Sequence, residues 1–387
     1  MKYIKYAAFS HRDPLSSTAC FSLEEANKAR AFHNTLEEYS ITPLCELKAL
    51  SKELGVKGVF VKDESKRFGL NSFKALGGSY AIFKCLEERK GEINKKHSEP
   101  LTFVTATDGN HGRGIAWAAR KMGQKAVVYM PKGSVQERLD NIKAQGAQAC
   151  ITDMNYDDAV RFANEQAEKN SWIMVQDTAW EGYEKYPLWI MQGYCTMALE
   201  AIEQLGDVKP THVFLQAGVG AMAGAVTAFL TEFYGEKNRP VIAIVEPHNA
   251  NCYYQSAVAD DGKPHNVGGD LCSIMAGLCC GEPCTIGFEI IRDHADVSVS
   301  VPDCIAAKGM RILAAPKGED SPLVSGESGA AGLGCAAEIL TNPCLSKLKE
   351  ELGINADSVI LCFSTEGDTD KQNYRDIVWE GKYPSFA

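Results

Sequence analysis

Three glycine-containing segments carry residues whose types and spacing suit chemistry. In one, Gly218-Val219-Gly220-Ala221-Met222-Ala223-Gly224 directly follows an apolar run ending at Gln216. Small residues let main-chain N–H groups approach an anion, and the helix expected to follow offers its positive end. The segment lacks the Lys-Ser/Thr pair of a nucleotide P-loop and the full dinucleotide fingerprint, so it points to a lone phosphate or to a plain structural turn. In another, Asn71-Ser72-Phe73-Lys74-Ala75-Leu76-Gly77-Gly78, Lys74 falls in the first turn of an expected helix. The macrodipole disfavours a cation there, and a neutral amine is what Schiff-base chemistry requires; the bland alternative is a surface lysine. The remaining segment is Thr105-Ala106-Thr107-Asp108-Gly109-Asn110-His111-Gly112. Asp108 and Asn110 suit helix capping as well as a functional part, and His111 reads as a packing residue at a helix start rather than a base.

Taken in order, these segments resemble the fold-type II family of pyridoxal-phosphate enzymes, the group of tryptophan synthase β and threonine dehydratase. The likeness extends to Ser364-Thr365-Glu366-Gly367-Asp368, and so covers most of the chain from Gly58 to Asp376. The resemblance implies pyridoxal 5'-phosphate as cofactor, held by Lys74 through a Schiff base. It further implies Asn110 on the pyridoxal 3'-oxygen and Gly218, Val219, Gly220 and Ala221 around the phosphate. Ser364 matches the position facing the pyridine nitrogen, with Thr365 as the alternative. A neutral hydroxyl there suits prompt β-elimination over a long-lived carbanion.

Within that family the strings Val175-Gln176-Asp177-Thr178-Ala179-Trp180-Glu181-Gly182-Tyr183 and Pro322-Leu323-Val324-Ser325-Gly326-Glu327-Ser328-Gly329 are similar to those of the diaminopropionate ammonia-lyases. Asp108 marks the departure from related dehydratases, which carry Ser or Thr in this loop to receive a substrate carboxylate. A carboxylate repels another at close range, but it attracts an ammonium or accepts a proton. A substrate with a second amino group at Cβ accounts for the change. The expected reaction is α,β-elimination of D- and L-2,3-diaminopropionate to pyruvate and two ammonia, by a carbon–nitrogen lyase. Lys74 is expected as the base on one face and Asp108 on the other, with Asp177 as a second acidic group. Glu327 and Ser328 are expected near the substrate, although Ser325 and Ser328 serve equally as helix caps. Trp180 and Tyr183 read as cleft wall or as core. The alternatives are a serine/threonine ammonia-lyase or a β-replacement synthase of the same fold.

Such residues need a frame to bring them together. From about residue 57 the chain alternates short β-branched runs with longer helical patterns. Strands are expected at 58–62, 102–107, 125–130, 147–152, 172–176, 211–216, 240–245, 296–301 and 358–363, with helices at 73–88, 110–122, 135–145, 156–169 and from Pro187 to Gln204. This alternation implies an α/β fold with largely parallel sheets, whose ligands bind at the carboxyl ends of the strands. There are too many units for one ordinary sheet. Two domains are therefore expected, a smaller one over 71–186 and a larger one from 1–70 plus 187–387, with the cofactor in the cleft between them. Residues 249–282, poor in strand signals, read as an excursion over the mouth of that cleft.

The 387 residues, with 45% apolar and 23% charged side chains, have the make-up of an ordinary globular chain. Forty basic against fifty acidic residues give a net charge of −10, which argues against nucleic acid and leaves a small amino acid as the expected partner. No run approaches a membrane span, and the opening residues are broken by charge too early for a secretory signal. A cytoplasmic location is therefore expected, and the family resemblance together with symmetric closure implies a homodimer. The fourteen cysteines are scattered, and most are expected as buried thiols. Cys252, Cys272, Cys279, Cys280 and Cys284 cluster without a zinc spacing, so no metal is expected; a local redox pair among them stays open.

Overall fold

A computed structural model describes residues 4–10, 15–90, 99–107 and 109–385. Asp108 and part of the opening segment lie outside the described residues. The chain forms two sheets. The larger has seven strands: β1 (Lys5–Ala8), β2 (Leu44–Glu46), β3 (Gly58–Asp63), β8 (His212–Gln216), β9 (Val241–Pro247), β10 (Val297–Val301) and β11 (Val359–Ser364). Their spatial order is β1-β10-β9-β8-β11-β3-β2. The smaller has four: β4 (Thr102–Ala106), β5 (Lys125–Met130), β6 (Gln148–Ile151) and β7 (Ile173–Met174), in the order β6-β5-β4-β7. Strands of the smaller sheet all fall within 71–186, and those of the larger all fall outside it.

The central strands are parallel, with β11 set between β3 and β8 so that Ile360 faces Val59 on one side and His212 on the other. Strands β8, β10 and β11 are buried at every residue, as continuous apolar runs covered by helices on both faces should be. Only the edges run antiparallel. β1 pairs with β10, and β2 with β3. Both were absent from the expected elements, because four and three residues are too short to show a period of two. The expected strand at 172–176 shrinks to the two residues of β7. The long helix begins at Lys185, before Pro187, which the first turn accommodates because its N–H groups have no helical partner.

Helix packing seats Lys74. Its helix, Lys74–Glu88, lies against the helix Lys185–Leu205 with almost no gap. A Cβ at Gly77 would lie 2.6 Å from the Ile190 and Tyr194 side chains, and one at Gly193 would lie 2.6 Å from the Leu76 carbonyl oxygen. Upstream, the turn leaving β3 is pinned by a fully buried charge network. Arg67 binds Glu64 through Nε and Nη2, both at 2.8 Å, and binds Glu200 at 2.7 and 2.9 Å. Lys62 Nζ reaches Glu200 at 2.7 Å. Each buried charge here is paired, which is the condition for burying it at all.

Residues 249–282 hold one helix, Cys252–Ala259, and a single short turn, Ala276–Leu278. Ala276, Gly277, Leu278 and Cys280 line the main cleft, so this stretch contributes to its wall. Eight of the fourteen cysteines are buried, among them Cys252, Cys280 and Cys284, which are free thiols. Cys272 is exposed and Cys279 half-buried.

Candidate active site

Loops leaving β3, β4, β7, β8 and β11 at their carboxyl ends converge on one cleft. At its centre Lys74 Nζ meets Asp177 Oδ2 at 2.5 Å. Lys74 opens its helix, as its sequence position implies, and Asp177 comes from the loop after β7. Asp177 is buried, and its other oxygen lies 3.4 Å from the Tyr156 hydroxyl and 3.3 Å from Gln176 Nε2. Burial pushes this carboxyl up, but the His111 and Lys74 charges outweigh it and hold it down at about 2. His111 Nε2 donates to the Val175 carbonyl at 2.9 Å, which turns Nδ1 toward Asp177 at 3.8 Å.

The wall opposite is the segment Gly218–Ala221, which leads into the helix Ala221–Tyr234. Gly220, at φ +89°, is its N-cap and adopts a conformation that side chains other than glycine's resist. A Cβ there would also fall 1.9 Å from the Tyr253 hydroxyl, which donates to the Val219 carbonyl at 2.9 Å. The result is a bare main-chain cradle at the positive end of a 14-residue helix. It suits a phosphate, and an amine stands across the same cleft, so the residues present fit pyridoxal phosphate. Gly220→Ala should weaken cofactor binding by about 100-fold or more, since strain and overlap fall on the cradle together. Reconstitution of the apoprotein with pyridoxal phosphate measures this, and unchanged affinity would remove the cradle assignment.

The third side combines residues from both sheets. Asn110 Nδ2 donates to Glu366 Oε2 at 2.5 Å. Thr365 lines the cleft, its hydroxyl accepting from Gln216 Nε2 at 2.9 Å. Ser364 is turned behind it, 2.8 Å from the Ser325 hydroxyl. Ser328 lines the cleft as well, whereas Glu327 opens onto an adjoining depression that also shares Tyr156 and Ala276. Burial and the neighbouring Glu366 charge push the Glu327 carboxyl up to about 7.

A family model described as pyridoxal-phosphate dependent enzyme matches residues 35–363. A diaminopropionate ammonia-lyase of Salmonella typhimurium is 51% identical over 399 residues, covering 98% of each chain. That of Escherichia coli K12 is 53% identical over 374 residues, covering 94% of this chain and 93% of its own. The chain belongs to the diaminopropionate ammonia-lyase family. The crystal structure of the holo Escherichia coli ammonia lyase superposes with a TM-score of 0.92 at 50% identity, covering 98% of this chain and 97% of that one. Another, in complex with an aminoacrylate-PLP azomethine reaction intermediate, gives a TM-score of 0.90 at 49% identity and covers 98% of both chains. Threonine deaminase isoform 2 of Solanum lycopersicum shares the fold at 20% identity, with a TM-score of 0.71 and coverage of 94% and 95%.

In this ammonia-lyase the structure brings Lys74, Asp177, Asn110, Gly218, Val219, Gly220, Ala221, Thr365 and Ser328 to one cleft. Ser364 and Glu327 lie just outside its lining, and Asp108 falls outside the described residues. The capping alternatives do not hold for Ser325, Ser328 or Asn110. Gly326 caps the helix Glu327–Thr341 and Gly109 caps Asn110–Lys121, in neither case with a side-chain bond. Ser328 and Asn110 both sit inside their helices. Trp180 and Tyr183 stack on each other at 4.3 Å behind the site, where the Tyr183 hydroxyl donates to Met174 and accepts from Gln176 N, both at 2.9 Å. His111, Tyr156, Gln216 and Glu366 had no expected part. His111 did stand in the Asp-Gly-Asn-His-Gly string, and its place beside two glycines was the available signal.

Proposed function

We propose that this chain removes both amino groups of 2,3-diaminopropionate, of either hand, and releases pyruvate and two ammonia. The observation that carries the reading is that the Lys74–Asp177 pair and the Gly218–Ala221 cradle line one cleft, in a chain about half identical to lyases of that name. Pyridoxal phosphate, held by Lys74 and the Gly218–Ala221 cradle, supplies the electron sink that makes Cα acidic. The chain's own residues do the rest. Lys74 Nζ takes the proton from Cα on its side of the substrate, and Asp177, an anion throughout the working range, keeps that nitrogen in place and balances its charge. Asp108, on sequence grounds, serves the mirror-image substrate and welcomes its second ammonium. Ser328 borders the approach and Glu327 lies beside it, and as polar groups they favour a molecule carrying two amino groups over serine.

Residues 71–186 are proposed as the smaller domain and 1–70 plus 187–387 as the larger, each holding the strands of one sheet. The buried free thiols Cys252, Cys280 and Cys284 favour a reducing, cytoplasmic setting, and closed symmetry favours a homodimer. Among the described residues no helix is long and apolar enough to cross a membrane. The deciding experiment follows pyruvate and ammonia together with both diaminopropionate enantiomers, both serines and threonine as substrates. Two ammonia per pyruvate from diaminopropionate, with faster turnover than serine, is the expected result. Faster turnover of serine or threonine, with one ammonia per keto acid, would overturn it.

A further inference from the structure

We propose that Glu366 is the positioning residue that fixes the Asn110 amide and ties the loops of the two sheets together around the cofactor. The inference rests on the cofactor reading above. Glu366 lies in the loop after β11, lines the cleft, and is only 3% exposed. Every polar contact of its carboxylate is with a donor. Oε2 receives Asn110 Nδ2 at 2.5 Å and the Thr369 hydroxyl at 3.3 Å, and Oε1 receives the Ser328 N–H at 3.1 Å. Its main chain is held as firmly. The Glu366 carbonyl accepts from Gly326 N at 2.9 Å, and Ser72 bridges to Glu366 in an antiparallel contact beside Lys74. A Cβ at Gly326 would come 3.0 Å from Glu366 Cγ, so the helix Glu327–Thr341 closes directly onto this side chain.

An asparagine amide has two faces, one donating and one accepting, that differ little in shape. Left alone it can turn either way. A carboxylate only accepts, so the amide must present its NH2 to Glu366. One hydrogen is then committed, and the second remains for an acceptor in the cleft. Glu366 thereby selects the donating orientation of Asn110, which is the orientation an oxygen of the cofactor needs. Asn110 opens the helix that follows β4 of the smaller sheet and Glu366 lies in the loop after β11 of the larger, so the same contact joins the two halves. Arg138, from the helix Gln136–Lys143, extends the tie by donating to the Thr369 hydroxyl at 3.3 Å.

Glu366→Gln keeps the volume but places an NH2 against one of the donors. The test is a double-mutant cycle with Asn110→Ala in the full-length protein. It measures pyridoxal phosphate dissociation from the reconstituted apoprotein and the pH titration of the bound cofactor's visible band. E366Q is expected to weaken the cofactor by about tenfold or more, the scale of one charge-assisted hydrogen bond, and to move the titration of the band. In the N110A background the same change should have little further effect, because the partner is already gone. If E366Q does not fold, the cycle is run with Glu366→Asp, which keeps the charge but withdraws it, and the same non-additivity is expected. Additive losses, or cofactor affinity and titration unchanged in the folded variant, would overturn the proposal. Failure of the cofactor reading itself shows differently: no visible band would form in the unsubstituted protein with pyridoxal phosphate.

Discussion

Lys74→Ala should yield a folded protein that no longer develops the visible absorbance of lysine-bound pyridoxal phosphate and turns over at least about 10³-fold more slowly. The proposed reading gives Lys74 two duties, anchoring the cofactor and moving the Cα proton, and general base action alone is typically worth about 10²–10⁴ in rate. The substitution also strips a buried carboxylate of the cation 2.5 Å away. Asp177 sits at about 2 against an ordinary 3.8, a difference worth about 2 kcal/mol. Because the folded value is depressed, this stabilisation is present above the ordinary carboxylate range and disappears as pH falls from 3.8 through about 2. His111 and Lys74 together hold Asp177 down, so removing Lys74 should lose only its share of this stabilisation at neutral pH, a loss that fades in acid. Lys74→Arg separates the two duties: it should recover most of the melting temperature at pH 7 and none of the visible band. Retention of the band in Lys74→Ala would refute the assignment of the cofactor lysine.

How much of this was readable in the chain follows from what each feature depends on. The strand-to-helix loops were legible because apolar β-branched runs such as Val359-Ile360-Leu361 are bounded by Gly, Ser and Asn, and that pattern is local. Lys74 at a helix start and Gly220 before another are also local facts. β1 and β2 were not legible, since strands of four and three residues are defined by their partners Ser300–Val297 and Lys62–Phe60 rather than by any period of their own. The Asn110 side chain looked like a cap because Asn often is one. Its true partner, Glu366, lies 256 residues away. His111 likewise gains its place from the Val175 carbonyl and from Asp177, both on a different loop. Local sequence determines which residues reach the cleft mouth, whereas tertiary contacts decide which of their atoms face one another.

The two acids should part company when the substrate's hand is changed. Asp177 touches Lys74 Nζ directly, so Asp177→Asn takes the counter-charge from the group that serves both enantiomers through the cofactor. Its losses on D- and L-2,3-diaminopropionate should be similar, about 10²-fold, and the partly buried Lys74 ammonium should lose its anionic partner. Since Asp177 lies near 2, its ionisation should leave no inflection in the rate profile at any pH where the enzyme is folded. Asp108→Asn should behave otherwise. If Asp108 is the base for the D isomer, kcat for D-diaminopropionate falls by about 10²-fold or more while kcat for the L isomer, served by Lys74, falls far less. KM for both should rise, because an amide no longer attracts the second ammonium. Steady-state kinetics on the separate enantiomers read all of this. Equal losses for both hands in Asp108→Asn would abolish the division of labour between two bases. Losses in KM alone would reduce Asp108 to a binding group. Either outcome would leave Lys74 as the single proton carrier, and a single carrier reaches both Cα protons only if the two enantiomers bind with opposite faces toward its nitrogen.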